Sequence, residues 1–259
     1  MSIQSVGFVG GGRVARIMIE GWSRAGALPE RIVVADPNAA TLETLKTRFP
    51  SIEICPGANC RAAEQSVVLL GLHPAAFAES VAEVTAALKS DAIVVSLAPK
   101  LTIARLSGLL GGFDRIARLI PNAPSVVGSG FNPLTFGPGL GGAERAAVLE
   151  LLAPLVDSPV VDESTLEAYA ITAAMGPTYL WFQLYELRDL ARSFGLPDEA
   201  AATAVERMTR GALDTMNAGL APAEVMDLVP VRPLAESEPA VLDAYRTRLG
   251  AVMERIRPA

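Results

Sequence analysis

Cysteine, histidine and aromatic residues are scarce in this chain, and the shortage of metal-binding side chains closes off one chemistry. There are two cysteines and one histidine among 259 residues, and aromatics make up 5%. Cys55 and Cys60 stand in a C-x4-C spacing, which suits neither a zinc knuckle nor a thioredoxin motif. With His73 the one imidazole, too few soft ligands remain for a zinc site. No metal is expected, and both thiols read as ordinary reduced residues of a cytoplasmic protein. Basic clusters are missing too. The net charge is −6, with Lys and Arg scattered, whereas nucleic-acid affinity rests largely on clustered cations. No nucleic acid and no membrane partner is expected, since no run approaches the roughly 18 uninterrupted apolar residues of a membrane span. The opening MSIQSVGFVG carries no basic stretch and no small-residue cleavage site, so no signal peptide is expected. What the chain does have is apolar bulk. Hydrophobic residues make up 51% and charged residues 19%, enough to bury a substantial core in one large domain or two smaller ones.

The first half alternates short apolar runs with helical patterns. The runs are residues 5–10, 31–36, 66–72, 91–97 and 115–120, each rich in Val, Ile or Leu and most ending near Gly, Asp or Pro. Helices are expected at Val14–Ala25, Ala39–Arg48, Ala75–Leu88 and Ile103–Leu110, with Asn38 able to cap the second through its side-chain oxygen. Strand-helix alternation with near-continuous apolar strands implies a parallel sheet covered on both faces. A further strand is expected near Phe131–Phe136, a helix at Ala143–Leu155 and a short strand at Pro159–Val161. Beyond about residue 162 the strand-like runs stop. Leu166–Phe194, Glu199–Asn217 and Glu238–Ile256 all read as helices, and Gly195-Leu196-Pro197 reads as a stop and restart. Tyr179, Leu180, Phe182, Leu184, Leu187 and Leu190 surround much of one helix with apolar groups. Such a helix must be buried in a large core or against another subunit. The expected architecture is an α/β Rossmann domain, a doubly wound parallel sheet over residues 1–161, followed by an all-helical dimerisation and substrate domain over 162–259.

The first strand runs into Gly10-Gly11-Gly12-Arg13-Val14-Ala15, a G-x-G-x-x-A in strand-turn-helix context. Gly10 permits the tight turn, Gly12 lets a pyrophosphate approach the backbone, and Ala15 lets the helix pack closely on the strand. The helix N-terminus then offers free N–H groups and a partial positive charge to phosphates. Asp36 ends the second strand, where a carboxylate can accept hydrogen bonds from the adenosine ribose. The pair points to a bound dinucleotide; a glycine turn in some other doubly wound protein is the bland alternative. A carboxylate at Asp36 repels a 2′-phosphate, and Pro37 and Asn38 supply no cation to offset it. NAD is therefore favoured over NADP. Arg13 is a candidate for the diphosphate or the adenine face.

Several further segments resemble the pyrroline-5-carboxylate reductase family. They are VGFVGGGRVA (6–15), VVADPN (33–38), Cys55-Pro56-Gly57-Ala58-Asn59, VVLLGLHP (67–74), Arg118 to Pro124 (RLIPNAP), Met175-Gly176-Pro177-Thr178-Tyr179 and Phe194-Gly195-Leu196-Pro197. They follow the family's order across about residues 5–227. The resemblance implies a Rossmann domain, a helical domain through which subunits dimerise, and NAD or NADP as cofactor. It implies hydride transfer to a small imine or carbonyl compound bearing a carboxylate, in the setting of proline biosynthesis. It also implies cofactor contacts at Gly10, Gly11, Gly12, Arg13, Val14, Asp36, Asn38, Asn59, Leu72, His73, Pro74 and Ala98.

The departures fall at the chemistry. The family usually has Lys-Pro where this chain has His73-Pro74, and a small A-A-G turn where it has Ala98-Pro99-Lys100. It has S-G-S-G-P where this chain has Ala173-Ala174-Met175-Gly176-Pro177. The family's S-P-G-G-T-T substrate loop is replaced by residues 229–236, VPVRPLAE. Arg232, stiffened between two prolines, is a candidate to grip a substrate carboxylate bidentately, or else a surface loop residue. Lys100, at the end of the fifth strand where ligands enter open α/β sheets, is a candidate proton donor or anion partner; a solvated lysine is the alternative. His73 is a candidate for cofactor contact or proton transfer. Asn122 reads as a hydrogen-bonding group near the nicotinamide or as a turn-stabilising residue. Met175 and Tyr179 face a substrate pocket or pack in a core. Beside the reductase stand a non-catalytic dinucleotide-binding dimer and a hydroxy-acid dehydrogenase.

Overall fold

The Val- and Ile-rich runs of the first half become strands buried on both faces. Residues 3–72 and 74–258 are described by the computed structural model. In chain order the first elements are β1 (Ser5–Val9), α1 (Arg13–Arg24), β2 (Arg31–Asp36), α2 (Ala39–Arg48), β3 (Glu53–Pro56), α3 (Asn59–Ala63), β4 (Val67–Leu70), α4 (Pro74–Ala87), β5 (Ile93–Ser96), α5 (Ile103–Leu109), β6 (Ile116–Leu119), β7 (Leu134–Phe136) and α6 (Gly142–Leu152). The sheet order is β3-β2-β1-β4-β5-β6-β7. β1 to β6 run parallel, and β7 closes the edge antiparallel to β6.

Successive strand residues feed opposite cores, as the two-residue period of a strand requires. Val6, Phe8, Val34, Leu69 and Val95 pack with Met18, Ile19 and Trp22 of α1, Leu42 of α2 and Leu152 of α6. Val9, Val33, Val68, Leu70 and Val94 pack with Ala62 of α3, Phe77 of α4 and Leu106 of α5. On the second face the short α3 lies directly on β1: a Cβ at Gly7 would overlap the Ala62 carbonyl.

Three features differ from the sequence reading. β3 and α3, which periodicity does not reveal, fill the stretch between α2 and β4. Pro159–Val161 forms no strand of its own; Val160 makes a single bridge to Leu134. The expected long helix from Leu166 is broken into α7 (Leu166–Tyr169), a wide π-helical turn (Ala170–Ala174) and α8 (Pro177–Ser193). Pro177 causes the break, because it has no N–H to continue the ladder and fits only a first turn.

Contacts gather the chain into two compact units, Met1–Met175 with Met253–Ala259, and Gly176–Val252. The second unit holds α8, α9 (Asp198–Met216), α10 (Pro222–Asp227) and most of α11 (Glu238–Ile256). α9 buries only Ala201 and Val205, and α8 buries no residue fully. Among the described residues, no helix is long and apolar enough to cross a membrane.

Candidate active site

The chain leaves β1 for β2 and β3 on one side of the sheet, then returns to lay β4 against β1's other edge. Ligands of open α/β sheets bind outside the carboxyl ends of the strands at such a reversal. A groove of about 790 Å³ opens there. Its floor is the Gly10–Arg16 turn, one wall is Thr41, Thr44 and Leu45 of α2, and the other comprises Gly71, Leu72 and Leu97–Pro99 at the ends of β4 and β5.

The glycines divide the work. Gly10 sits at φ 107°, and a Cβ there would stand 2.7 Å from the Gly71 carbonyl oxygen. Its N–H donates to Ala35 while the Gly71 N–H donates to Val9, so the turn locks β1 to both neighbours. Gly11 packs toward β2, and its N–H donates to Asp36 Oδ2 at 2.8 Å. Gly12 caps α1, and a Cβ there would meet no protein atom within 4 Å. Protein packing therefore does not require glycine at this position, whereas the approach of a diphosphate to the backbone does. The residues present thus fit a dinucleotide. Arg13 and Arg16 are exposed at the groove, and neither is ion-paired among the described residues.

Asp36 holds its own loop together. Oδ2 accepts from Gly11 and Oδ1 accepts from the Asn38 N–H, each at 2.8 Å. Each carboxylate oxygen has two lone pairs, so both retain capacity for a ribose hydroxyl. The Asn38 side chain accepts from the Thr41 N–H at 3.2 Å, the cap expected of it. Lys46 is spent on the Pro50 and Ile52 carbonyls, and Arg48 pairs with Glu20. Asn59 donates to Ser80 and Glu83 of α4, and neither Asp36, Asn38 nor Asn59 forms part of the groove's lining.

At the β5 end, Ala98 and Pro99 line the groove and the exposed Lys100 follows. Lys100 has φ 76°, a left-handed conformation that costs a non-glycine residue roughly 1–2 kcal/mol. Its N–H donates to Glu167 Oε1 at 3.2 Å. Glu167 in turn is buried against Arg118 of β6, Nη2 to Oε1 at 2.5 Å. Arg118 Nη1 reaches Glu163 Oε1 at 3.0 Å, and that oxygen also accepts from the Ile103 N–H at 2.6 Å. Arg118 and Glu167 are each 1% exposed. The sequence shows Arg118 in mid-strand, where a charge buried on both sides demands partners, but it does not name them.

The remaining candidates fall elsewhere. Asn122 is buried, its Oδ1 accepting from the Phe131 N–H and its N–H donating to Asn132; its carbonyl ties the 122–132 loop. Met175 is half-buried at the end of the π turn, its N–H on the Ala170 carbonyl. In the helical unit Tyr179 packs edge-on against Tyr245 at 6.0 Å. Burial, followed by the neighbouring Tyr245 phenol, raises its pKa. Arg232 pairs with Glu238 in a half-exposed bridge, 2.5 Å at its closest. His73 lies outside the described residues. Pro74 opens α4. Thr41, Thr44 and Arg16, which the glycine motif does not announce, stand in the groove; their spacing from the Asn38 cap and from Arg13 is the signal that reveals them.

Residues 5–100 match the family described as NADP oxidoreductase coenzyme F420-dependent. The pyrroline-5-carboxylate reductase of Haemophilus influenzae is 28% identical over 216 residues, covering 82% of this chain and 78% of that one. The Pseudomonas aeruginosa enzyme of the same name is 24% identical over 257 residues, covering 98% and 93%. Over most of its length this chain is similar to pyrroline-5-carboxylate reductases. Solved structures bear out the fold. The pyrroline-5-carboxylate reductase of Coxiella burnetii matches with a TM-score of 0.72 at 24% identity, covering 99% and 98% of the two chains. The Plasmodium falciparum pyrroline carboxylate reductase, solved with NADP bound, matches at 0.74 and 16% identity, covering 98% and 94%. A Rossmann sheet followed by helices is thus shared with pyrroline-5-carboxylate reductases from end to end.

Proposed function

We propose that the protein is an NAD(P)-dependent reductase that passes hydride to a small imine or carbonyl compound bearing a carboxylate, a cyclic imine first among them. The observation that carries this is Gly12, a glycine with open space in front of it at the N-terminus of α1, in the groove at the sheet's switch point. The near full-length relation to pyrroline-5-carboxylate reductases supplies the substrate class. The nicotinamide ring supplies the hydride when bound. The backbone of Gly11, Gly12, Arg13 and Val14 holds the diphosphate, Asp36 the adenosine ribose, and Leu72 and Ala98 flank the nicotinamide half. Lys100, one residue beyond Pro99, is assigned to proton delivery, and Arg232 to the substrate carboxylate. The test is NADH oxidation across a panel of cyclic imines and oxo acids after calorimetric titration with the dinucleotide. Saturable binding with turnover of an imine is expected. No binding removes the assignment, and tight binding with no turnover leaves a non-catalytic dinucleotide-binding protein.

NAD is the preferred cofactor in this reading. Asp36 ends β2 with its Oδ2 on the Gly11 N–H, which supports its assignment to the ribose, and Lys46 and Arg48, the cations nearest along the chain, are engaged elsewhere. The functional unit is at least a homodimer, because α8 exposes Leu180, Trp181, Phe182, Tyr185, Leu187 and Leu190. A cytoplasmic setting is in keeping with two unbridged, half-buried thiols at Cys55 and Cys60.

A further inference from the structure

Three charged side chains that the proposed reaction does not use converge beneath the groove's β5 wall. Arg118 is held between Glu163 and Glu167, and each carboxylate spends the same oxygen on a backbone N–H of the 98–103 turn, at Ile103 and Lys100 respectively. Among the described residues Arg118 Nε is buried with no partner, and the two carboxylates hold the guanidinium through Nη1 and Nη2. A buried ion cluster is not needed for stability as such; well-packed apolar residues do as well or better. What such a cluster supplies is a single conformation for whatever it grips. Here it grips a turn whose Ala98 and Pro99 line the groove and whose Lys100 is in the left-handed region. Strained backbone of this kind persists only where its surroundings over-determine it, and it clusters at ligand clamps.

We propose that Glu167, anchored by Arg118 and seconded by Glu163, is a positioning residue for the dinucleotide: it holds Lys100 left-handed so that Ala98 and Pro99 stand where the nicotinamide half binds. The inference rests on the reductase reading above. It differs from a plain stabilising role in one respect. If the brace works by enforcing a positive φ at Lys100, a residue that adopts positive φ freely must make the brace dispensable, and glycine is that residue.

NADH affinity, measured by fluorescence titration, separates the cases. Glu167→Gln is expected to weaken NADH binding by about tenfold or more, with the far-UV circular dichroism unchanged. Adding Lys100→Gly is expected to bring affinity back to within about threefold of wild type, although the lysine ammonium is gone. Glu163→Gln, on a carboxylate that is partly exposed, is expected to give a smaller loss with the same glycine rescue, and it serves if Glu167→Gln does not fold. Wild-type affinity in the Gln variants, or a double variant no tighter than the single, overturns the brace. Failure of the wild-type protein itself to bind NADH would instead overturn the reductase reading.

Discussion

Gly12 and Asp36 carry the sharpest tests at the level of single residues. A methyl at Gly12 touches no protein atom, and exchanging glycine for alanine at a helix N-cap costs under about 1 kcal/mol. Gly12→Ala should therefore leave the melting curve nearly unmoved while weakening NADH binding at least tenfold, about 1.4 kcal/mol. Equal affinity in calorimetry would mean that no phosphate lies on that backbone. At Asp36, Oδ2 already braces the glycine turn through Gly11 and Oδ1 the turn into α2 through Asn38, so a substitution tests two roles at once. Asp36→Ser is expected to lower NADH affinity and to move the NADPH-to-NADH preference toward NADPH by tenfold or more, about 1.4 kcal/mol. A loss that is equal for both dinucleotides would assign Asp36 to loop architecture alone. Among the described residues the Arg232 guanidinium is tied to Glu238 in a half-exposed pair, worth about 0–1 kcal/mol, so it is cheaply released to a carboxylate. Arg232→Ala should raise the substrate KM strongly and leave NADH affinity alone; an unmoved KM takes Arg232 out of the site.

Between residue and molecule, the elements show what could be read in advance. Long, apolar, regularly spaced segments announced themselves: β1, β2, β4, β5 and β6 coincide with the Val- and Ile-rich runs, and Asn38 caps α2 as its position before the helix suggested. β3 and α3 did not, for a physical reason. β3 is a four-residue edge strand, half-buried and ending in Pro56, and α3 is five residues long. Neither is long enough to establish a period, and an edge strand buried on one side lacks the continuous apolar run of its neighbours. The site divides in the same way. The glycine turn is local, so its residues could be named from spacing. The Arg118 cluster joins β6 to residues some 45 and 49 positions later, and the left-handed Lys100 is a lysine in a conformation that composition assigns to glycine; neither is local. The cluster also yields an element-level prediction. Arg118→Met leaves Glu167 buried without its partner and should cost about 3–5 kcal/mol in urea unfolding, whereas Arg118→Met with Glu167→Leu should recover most of that loss. A single variant as stable as wild type would show that water reaches Glu167 and that the pair is not isolated.

The helical unit leaves much of its apolar surface exposed. A 17-residue helix, α8, buries none of its side chains fully, yet it carries Trp181 at 45%, Phe182 at 68% and Tyr185 at 63% exposure. α9 adds Met208 and Leu213, and the following loops add Leu228, Val229, Val231 and Leu234, all exposed. Exposed apolar side chains in this number suit an interface, and a helix bearing exposed aromatic groups suits a self-complementary contact between two copies. The prediction follows from the hydrophobic driving force. Each large side chain withdrawn from water contributes about 1.5–3 kcal/mol, so two aromatic residues on each of two copies contribute enough to decide the assembly. Phe182→Asp with Trp181→Asp places four carboxylates in the contact. The variant is expected to sediment at 27.1 kDa, where wild type sediments at twice that mass or more. Because the groove's lining lies entirely within the first unit, NADH binding should survive in the variant even as the assembly is lost. A wild-type protein that is monomeric at micromolar concentration would refute the interface, and the exposed helix would then need another protein to cover it.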